Sequence, residues 1–329
     1  MRKDFDGVKT KIVYIVVSDE TDYFLEQALL SVFSLRKHNP EATAELVVDK
    51  ATAITLTGKR GEIKNFVNYV TTIDVPETYK KGPKSRWLKT NLRNLIEGDF
   101  LYVDNDTIIT DSLEAIDQFD GEIGAVRDQH TPVGLNEDKA VIRQWAQQDG
   151  WTYVDDLVYF NGGVFFVRDT EMTHDFFREW HKRWQISITN YPRMIDQSSL
   201  AATNECFQYP IKELDGVWNC QPTNGLPFIH QAKIMHYWRY HRTDYAWQFY
   251  DKSIIRRIKA SGSIPEDMSA LINRAKEAFI IPNKIIAGRE LELYYSTAFQ
   301  MCLSHPAVYT FFSWIASLLS TLGRWRRQS

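Results

Sequence analysis

Cysteine is scarce. The 329-residue chain has three, Cys206, Cys220 and Cys302, with no CxxC pair and an odd one left over. Neither a disulfide framework nor a zinc knuckle is expected from that count, and a reducing compartment is the simplest setting. Charge of one sign is lacking too: 39 Lys and Arg against 42 Asp and Glu leave a formal −3. Without a domain-wide basic field to neutralise phosphates, nucleic acid is not expected as a partner. The opening MRKDFDGVKTK has no apolar run, so neither a signal peptide nor an N-terminal membrane anchor is expected. Repeats, low-complexity tracts and obvious linkers are absent as well. Aromatics, by contrast, are plentiful at 13%, with ten Trp. They suit a sugar-binding surface, but they fill cores equally well. A chain of this length can bury a large core, as one big α/β domain or two lobes.

The apolar pattern has a clear order. KIVYIVV (11–17) is a continuous β-branched run of the kind found in buried parallel strands. In YFLEQALLSVFSLRKHNP, Leu25, Ala28, Leu29, Val32 and Leu35 recur at helical spacing until Asn39-Pro40 stops them. AELVVD (44–49) reads as a second strand, and GEIKNFVNYVTTIDV as a short helix leading into a third. Alternation of this kind predicts an open, mostly parallel sheet. SRWLKTNLRNLIEGD (85–99) reads as a helix feeding a strand that ends at Asp104. Further strands are expected in GEIGAVRD (121–128), LVYFNGGVFFVR (157–168) and AKIMHYWRYH (232–241), and an amphipathic helix in TEMTHDFFREWHKRWQIS. Beyond about residue 245 the pattern is helical.

FLYVDNDTII (100–109) raises the chemical question, because its strand runs straight into Asp104, Asn105 and Asp106. Buried carboxylates are costly unless something positive answers them. A DxD triplet alone means little, and Asp4-Phe5-Asp6 in the polar N-terminal tail is a second instance. The context is what counts: ligands bind at the carboxyl ends of strands in open α/β sheets. Mg²⁺ or Mn²⁺ shared between carboxylates and diphosphate oxygens would balance the charge; solvated turn residues or helix caps are the plain alternative. One enzyme class with such a motif is the haloacid-dehalogenase-type phosphatases, for which Asp155-Asp156 could serve as the further acidic pair. About a hundred residues of well-patterned α/β sequence before Asp104 argue against it.

The second class has the GT-A fold, and several stretches in order resemble glycosyltransferase family 8, the retaining family of glycogenin and bacterial lipopolysaccharide galactosyl- and glucosyltransferases. KIVYIVVSDETDY resembles its first strand and donor-base loop, SRWLKTNLRNLIEGDFLYVDNDTII its helix, strand and metal-binding DxD, and YFNGGVFFV its Phe-Asn-Ser/Ala-Gly-Val strand. MIDQSSLAA resembles its Asp-Gln helix start and AKIMHYWRY its late Ile-His strand. The resemblance spans residues 11 to about 242. It implies a nucleotide-diphospho-sugar transferase fold, a Rossmann-like mixed sheet flanked by helices over residues 1–244, with a C-terminal helical extension over 245–329.

The same resemblance implies roles. Asp104, Asp106 and His236 would hold Mn²⁺ or Mg²⁺, Asp104 also reaching the ribose of the donor, a nucleotide sugar expected to be a UDP-hexose. For His236 the alternative is a core imidazole satisfied by a backbone carbonyl. Ser18 and Asp19 would line the base site with Tyr23 as a stacking partner, and Arg86 or Lys89 would sit near the diphosphate. Gln197 would face the anomeric carbon, positioning or stabilising during front-face attack by the acceptor. Asp196, Asn161 and Asp128 would contact sugar hydroxyls, although Asp196 could instead cap its helix at Ser198 or Ser199. Two departures stand out. Gly162-Gly163 replaces the usual Ser/Ala-Gly, which would open space beside the sugar. Arg239 and Arg242 stand where the family has a late Gly and a Lys-Pro-Trp, and either guanidinium could clamp phosphate. A non-catalytic nucleotide-sugar-binding scaffold is the competing reading. Loops 130–156 and 218–230, which would select the acceptor, carry no guiding motif.

The tail is apolar from Ala307 to Leu322 apart from scattered polar residues, then carries Arg324, Trp325, Arg326 and Arg327. About sixteen helical residues reach only ~24 Å, short of the ~30 Å hydrocarbon core. A helix over 306–327 lying in the membrane interface is expected, holding the protein on anionic lipid at the cytoplasmic face near a saccharide or lipid-linked cell-envelope acceptor. A terminal helix packed on the catalytic domain is the alternative.

Overall fold

In this computed structural model the described residues are 7–191, 193–237, 249, 251–280 and 296–325. Strand β1 (Lys11–Val16) is buried from Ile12 onward, because it has a parallel neighbour on each side, β2 (Ala44–Asp49) and β4 (Phe100–Val103). Its side chains alternate between two cores. Ile12, Tyr14 and Val16 face the layer of α1 (Phe24–His38), while Val13 and Ile15 face the other layer. That period of two explains why the run is apolar throughout.

After β2 come the short helices α2 (Lys50–Thr55) and α3 (Gly58–Gly61), then β3 (Tyr69–Ile73) at the sheet edge. The helix expected over 85–99 is displaced. Helix α4 (Lys81–Thr90) starts earlier, with Pro83 in its first turn, and a short 3₁₀ turn covers Leu92–Asn94. Beyond β4 lie β5 (Thr107–Ile109), β6 (Ile123–Arg127), α5 (Lys139–Asp149), β7 (Phe160–Val167), α6 (Glu171–Asn190) and α7 (Gln197–Cys206). Next are β8 (Ile211–Glu213), α8 (Leu226–Ile229) and β9 (Ile234–His236), followed by α9 (Lys252–Ser261), α10 (Glu266–Asn273) and α11 (Ala275–Ile280).

Among the described residues the main sheet has seven strands in the order β3-β2-β1-β4-β7-β6-β8. Strand β7 runs antiparallel to both β4 and β6, so the sheet is mixed, with helices on both faces, as expected. A second, two-stranded sheet pairs β5 antiparallel with β9 and sets Thr107 opposite His236. The chain parts into two compact units after Pro282. Helix α9 packs on α1 within the first unit. The second unit contains α12 (Thr297–Ser304) and α13 (Pro306–Trp325). No helix among the described residues is long and apolar enough to cross a membrane.

Strand β5 is anchored by hydroxyls rather than by the main sheet. Ser34 Oγ, fully buried on α1, accepts from the Ile109 N–H at 2.8 Å, and Ser31 Oγ lies 2.6 Å from Thr107 Oγ1. Ser34→Ala would leave the Ile109 N–H buried without that acceptor. A loss of about 1–3 kcal/mol is expected, seen as a lower urea midpoint at unchanged slope. An unshifted midpoint would show that β5 does not depend on the bond.

Candidate active site

Strand β4 delivers Asp104 to the carboxyl edge of the sheet, where its N–H donates to the Gly163 carbonyl of β7 at 2.8 Å. Its carboxylate meets Lys89 Nζ at 3.0 and 3.2 Å and accepts from the Tyr102 hydroxyl. Lys89 is 2% exposed, donates to the Gly162 carbonyl at 3.0 Å and lies 4.9 Å from the Tyr102 ring centre. The main-chain carbonyl of Asp106 accepts from the Tyr237 N–H, and its side chain faces His236, with Oδ1 3.4 Å from Nε2. Burial works to raise the Asp106 carboxyl, but the charge and hydrogen bond of His236, its own N–H and Lys89 together hold it below the ordinary aspartate value.

Asp104, Asp106 and His236 each offer one ligand atom, all within 4.8 Å of one another. The donor set, two carboxylates and an imidazole, suits Mn²⁺ or Mg²⁺. The partner of the other ring nitrogen supports the fit: His236 Nδ1 lies 2.9 Å from Asn219 Oδ1, which can only accept. Nδ1 therefore carries the proton, leaving Nε2 to face Asp106, where a proton or a metal ion can lie between them. Asn219 Nδ2 donates to Asn161 Oδ1 at 3.0 Å, and Asn161 Nδ2 to Asp128 Oδ1 at 2.8 Å. The backbone-carbonyl partner considered for a core histidine is thus replaced by a chain of side-chain amides ending on a carboxylate.

The two glycines differ. A Cβ on Gly163 would come within 2.2 Å of His236 Cε1, so this glycine makes room for the histidine. On Gly162 the nearest atom to a Cβ would be Asp196 Oδ2 at 3.6 Å, ordinary contact facing the cleft.

That cleft is lined by Asp104, Asp106, Asn161, Asp196, Gln197 and His236 among others. Asp196 makes no side-chain cap to α7. Its carboxylate turns to Arg86 Nε at 3.3 Å and Lys89 Nζ at 3.7 Å, while its carbonyl accepts from Ser199 Oγ and the Trp180 indole. Arg86 and Lys89 therefore both belong to the site. Gln197 Nε2 donates to the Phe160 carbonyl at 3.1 Å. Asp128 is buried, which raises its carboxyl above the ordinary value despite amides from Asn161 and Asn136. The cleft lining also includes Asp138, Val141, Ile142 and Trp145 of α5 and its approach, which the sequence pattern does not single out; the one available signal is helical spacing in a stretch read as loop.

A second cleft shares Arg86, Asp104 and Asp106 with the first and extends past Ile15, Val17, Phe24, Gln27 and Lys81. Ser18 and Asp19, expected to line the base site, are not among its lining residues. Ser18 Oγ donates to Asp22 at 2.6 Å, and Asp19 pairs with Lys81 at 2.6 Å, which, with the Thr21 bonds, lowers its pKa. Tyr23 turns toward α9, where Arg256 Nε donates to its hydroxyl at 3.3 Å. Arg239 and Arg242, like the Asp4-Asp6 pair, lie outside the described residues. Asp155 and Asp156 are exposed, and Asp155 lies 3.5 Å from Arg143; neither lines the cleft with Asp104, so the phosphatase arrangement is not formed.

The fold agrees with solved structures. The apo form of the bifunctional glycosyltransferase WbbM matches 83% of this chain and 53% of its own, at 15% identity and a TM-score of 0.54. An active-site glutamine-to-glutamate variant of LgtC matches 79% of this chain and 99% of its own, at 19% identity and a TM-score of 0.51. The chain has the GT-A glycosyltransferase fold. It spans about half the length of WbbM. Comparison with protein-family models gives no match, and comparison with curated proteins gives none either. In this GT-A chain the shared edge of the two clefts falls at the carboxyl end of β4, as the sheet rule requires.

The glycine contrast is directly testable. Gly163→Ala should displace His236 and weaken Mn²⁺ binding at least tenfold, whereas Gly162→Ala should leave it unchanged. Asn219→Ala should cost about 10–100-fold, as loss of a ligand-orienting partner commonly does. Mn²⁺ titration followed by electron paramagnetic resonance reads all three, with thermal melts as the folding control. Equal affinities for the two glycine variants would remove His236 from the metal site.

Proposed function

We propose that the protein is a metal-dependent, family-8-like retaining glycosyltransferase that moves a hexose from a nucleotide sugar, a UDP-sugar in our reading, to a saccharide or lipid-linked cell-envelope acceptor. The observation that carries this is the meeting of two clefts at Arg86, Asp104 and Asp106. One cleft has an apolar end at Ile15, Val17 and Phe24 that suits a nucleobase, and the other is lined with carboxylates and amides suited to hydroxyls. Their junction holds cations and carboxylates together, as a diphosphate and its metal require. LgtC, a neighbour in fold, has a glutamine in its active site, which supports assigning the corresponding role to Gln197.

Asp104, Asp106 and His236 would hold Mn²⁺ or Mg²⁺, which when bound neutralises charge on the diphosphate. The chain's own residues do the rest. Arg86 and Lys89 face the phosphates and stabilise the leaving group. Asp196, Asn161 and Asp128 accept from or orient sugar hydroxyls. Gln197, a feeble nucleophile, positions or stabilises an oxocarbenium-like transition state while the acceptor attacks from the front face. Of the family-resemblance residues, Ser18 and Asp19 support the base end through Asp22 and Lys81. A scaffold that binds but does not turn over is the rival, and donor hydrolysis separates them.

With Mn²⁺ and no acceptor, the protein should slowly release UDP from a UDP-hexose. Asp106→Asn should abolish metal-dependent donor binding while leaving the melting curve intact. Gln197→Ala should lower kcat more than donor affinity. With acceptor, an α-linked donor should give an α-linked product. Inversion of the anomeric proton signal by NMR would overturn the retaining mechanism, and absence of UDP release with intact binding would favour the scaffold.

We further place the protein as peripheral on anionic lipid at the cytoplasmic face, through α13, whose Tyr309, Phe311, Phe312 and Trp314 precede the terminal arginines. Deleting residues 306–329 should abolish sedimentation with anionic liposomes at low salt yet spare donor hydrolysis. Full-length protein that ignores such liposomes would remove the membrane from this reading.

A further inference from the structure

Among the described residues, four other than glycine have positive φ, in two adjacent pairs. That backbone conformation is costly for a residue with a Cβ, so something must hold each pair in it. Gln208 and Tyr209, after α7, are both exposed. Gln129 and His130, at φ 53° and 54°, are placed differently. Gln129 is 3% exposed, and the turn leaves β6 directly after Asp128, which lines the first cleft. Asp138, at the approach to α5, lines the same cleft. The Gln129 side chain donates to the Asp138 carboxylate at 3.3 Å and accepts from the Glu137 N–H at 3.0 Å. Strain beside a ligand cleft persists only where its surroundings enforce it.

The enforcing residue is Gln221, itself 1% exposed. Its side-chain oxygen accepts from the Gln129 N–H at 2.7 Å, and its side-chain amide donates to the Arg127 carbonyl at 3.1 Å. Its own N–H donates to His130 Nε2 at 3.0 Å. One residue thus bonds the positions on both sides of Asp128. Burial pushes the His130 pKa down to about 4, so the ring is neutral and Nε2 can accept. Two residues earlier, Asn219 bonds His236 and Asn161, and Asn161 bonds the Asp128 carboxylate. Asp128 is therefore held twice from one short segment, its carboxylate through Asn219 and its turn through Gln221. Between them Cys220 fastens that segment to β9: its N–H donates to the Ile234 carbonyl at 2.9 Å, and its carbonyl accepts from the His236 N–H at 2.8 Å. Asn219 keeps its place against His236 without help from the Gln221 side chain.

We propose that Gln221 is a positioning residue for sugar transfer: by holding the 127–130 turn in its strained form, it fixes where Asp128 stands in the sugar cleft. The inference rests on the nucleotide-sugar reading above, in which Asp128 meets a sugar hydroxyl. Gln221 acts through that turn and lines neither cleft. Without its amide, Gln129 and His130 relax toward ordinary backbone angles and carry Asp128 with them. The metal ligands and the base end stay as they are.

Donor hydrolysis and titration calorimetry on the full chain in Mn²⁺ test this, with UDP as the sugar-free probe and UDP-glucose and UDP-galactose as donors. Gln221→Met keeps the length of the side chain and removes its amide. It should lower kcat about 10- to 100-fold for whichever donor the wild-type chain hydrolyses, the range for loss of an orienting partner or a displacement of about 1 Å. UDP and Mn²⁺ affinities should not change. Gln129→Val and Gln129→Gly both delete the side-chain amide but differ in their tolerance of positive φ. The valine variant should lose kcat as Gln221→Met does, and the glycine variant should retain more. In the glycine background Gln221→Met should cost less than it does alone. Wild-type kcat in Gln221→Met overturns the proposal, as does an equal loss of kcat and UDP affinity. Equal kcat in the valine and glycine variants overturns it whether or not Gln221→Met folds. If the wild-type chain binds UDP but hydrolyses neither donor, there is no transfer to position and the proposal falls with the nucleotide site intact. If it binds none of the three, the nucleotide-sugar reading itself fails.

Discussion

The ammonium of Lys89 is the interaction on which the site depends. It lies between two carboxylates, 3.0 Å from Asp104 and 3.7 Å from Asp196, with the Gly162 carbonyl at 3.0 Å and almost no water. Removing one member of a buried ion pair commonly costs 3–5 kcal/mol, because the remaining charge is stranded. Here the stranded charges would be acids from β4 and from the start of α7, which the sheet brings close. Lys89 comes from α4 and bonds to β7 as well. Four elements therefore meet at one cation, and the geometry of the cleft cannot be separated from the stability of the sheet edge.

A second constraint is steric. His236 has room beside the carboxylates because Gly163 has no side chain, and Asn219 holds its far nitrogen. Both conditions depend on β9 pairing with β5 rather than joining the main sheet. The small sheet in turn is secured by buried hydroxyls of α1, Ser31 and Ser34. A polar helix face buried against a strand gives no hydrophobic signal, yet it fixes where the third metal-ligand candidate stands.

What was legible in the sequence follows from which forces are local. The runs at 11–17 and 100–103 are apolar because both faces of their strands are covered, and that is visible residue by residue. The carboxylates at 104 and 106 were conspicuous because they interrupt such a run. His236 could be placed only through the resemblance, since a lone histidine after AKIM has no local signature. Asn219 and the α5 residues around Trp145 were not anticipated. Each acts through partners far along the chain: Asn219 is seventeen residues from His236 and fifty-eight from Asn161. No period or cap marks such a residue. Asp196 shows the opposite failure. A helix-start aspartate before two serines has the pattern of an N-cap, but the nearby charges of Arg86 and Lys89 draw its side chain into the cleft, and the serine hydroxyl bonds its carbonyl instead. Coulomb attraction at this buried carboxylate outweighs a cap bond that typically contributes about 1 kcal/mol.

The pattern of charge also limits what can occupy the clefts. Their junction is Arg86, Asp104 and Asp106, with Lys89 and His236 beside it in the first cleft. A bare anion would satisfy the cations but meet the carboxylates; a bare metal ion would do the reverse. A neutral sugar would answer neither and would leave Asp196 paired as it is now. A metal–diphosphate complex brings both signs in fixed proximity, so it can take up the carboxylates through the cation and the guanidinium through oxygen at once. Binding of that kind exchanges one set of ion pairs for another rather than exposing or stranding any of them. On the proposed function it would also release Asp196 from part of its attachment to Arg86, leaving a carboxylate for hydroxyls once the diphosphate is held. Electrostatics would then order the contacts, phosphate and metal before sugar.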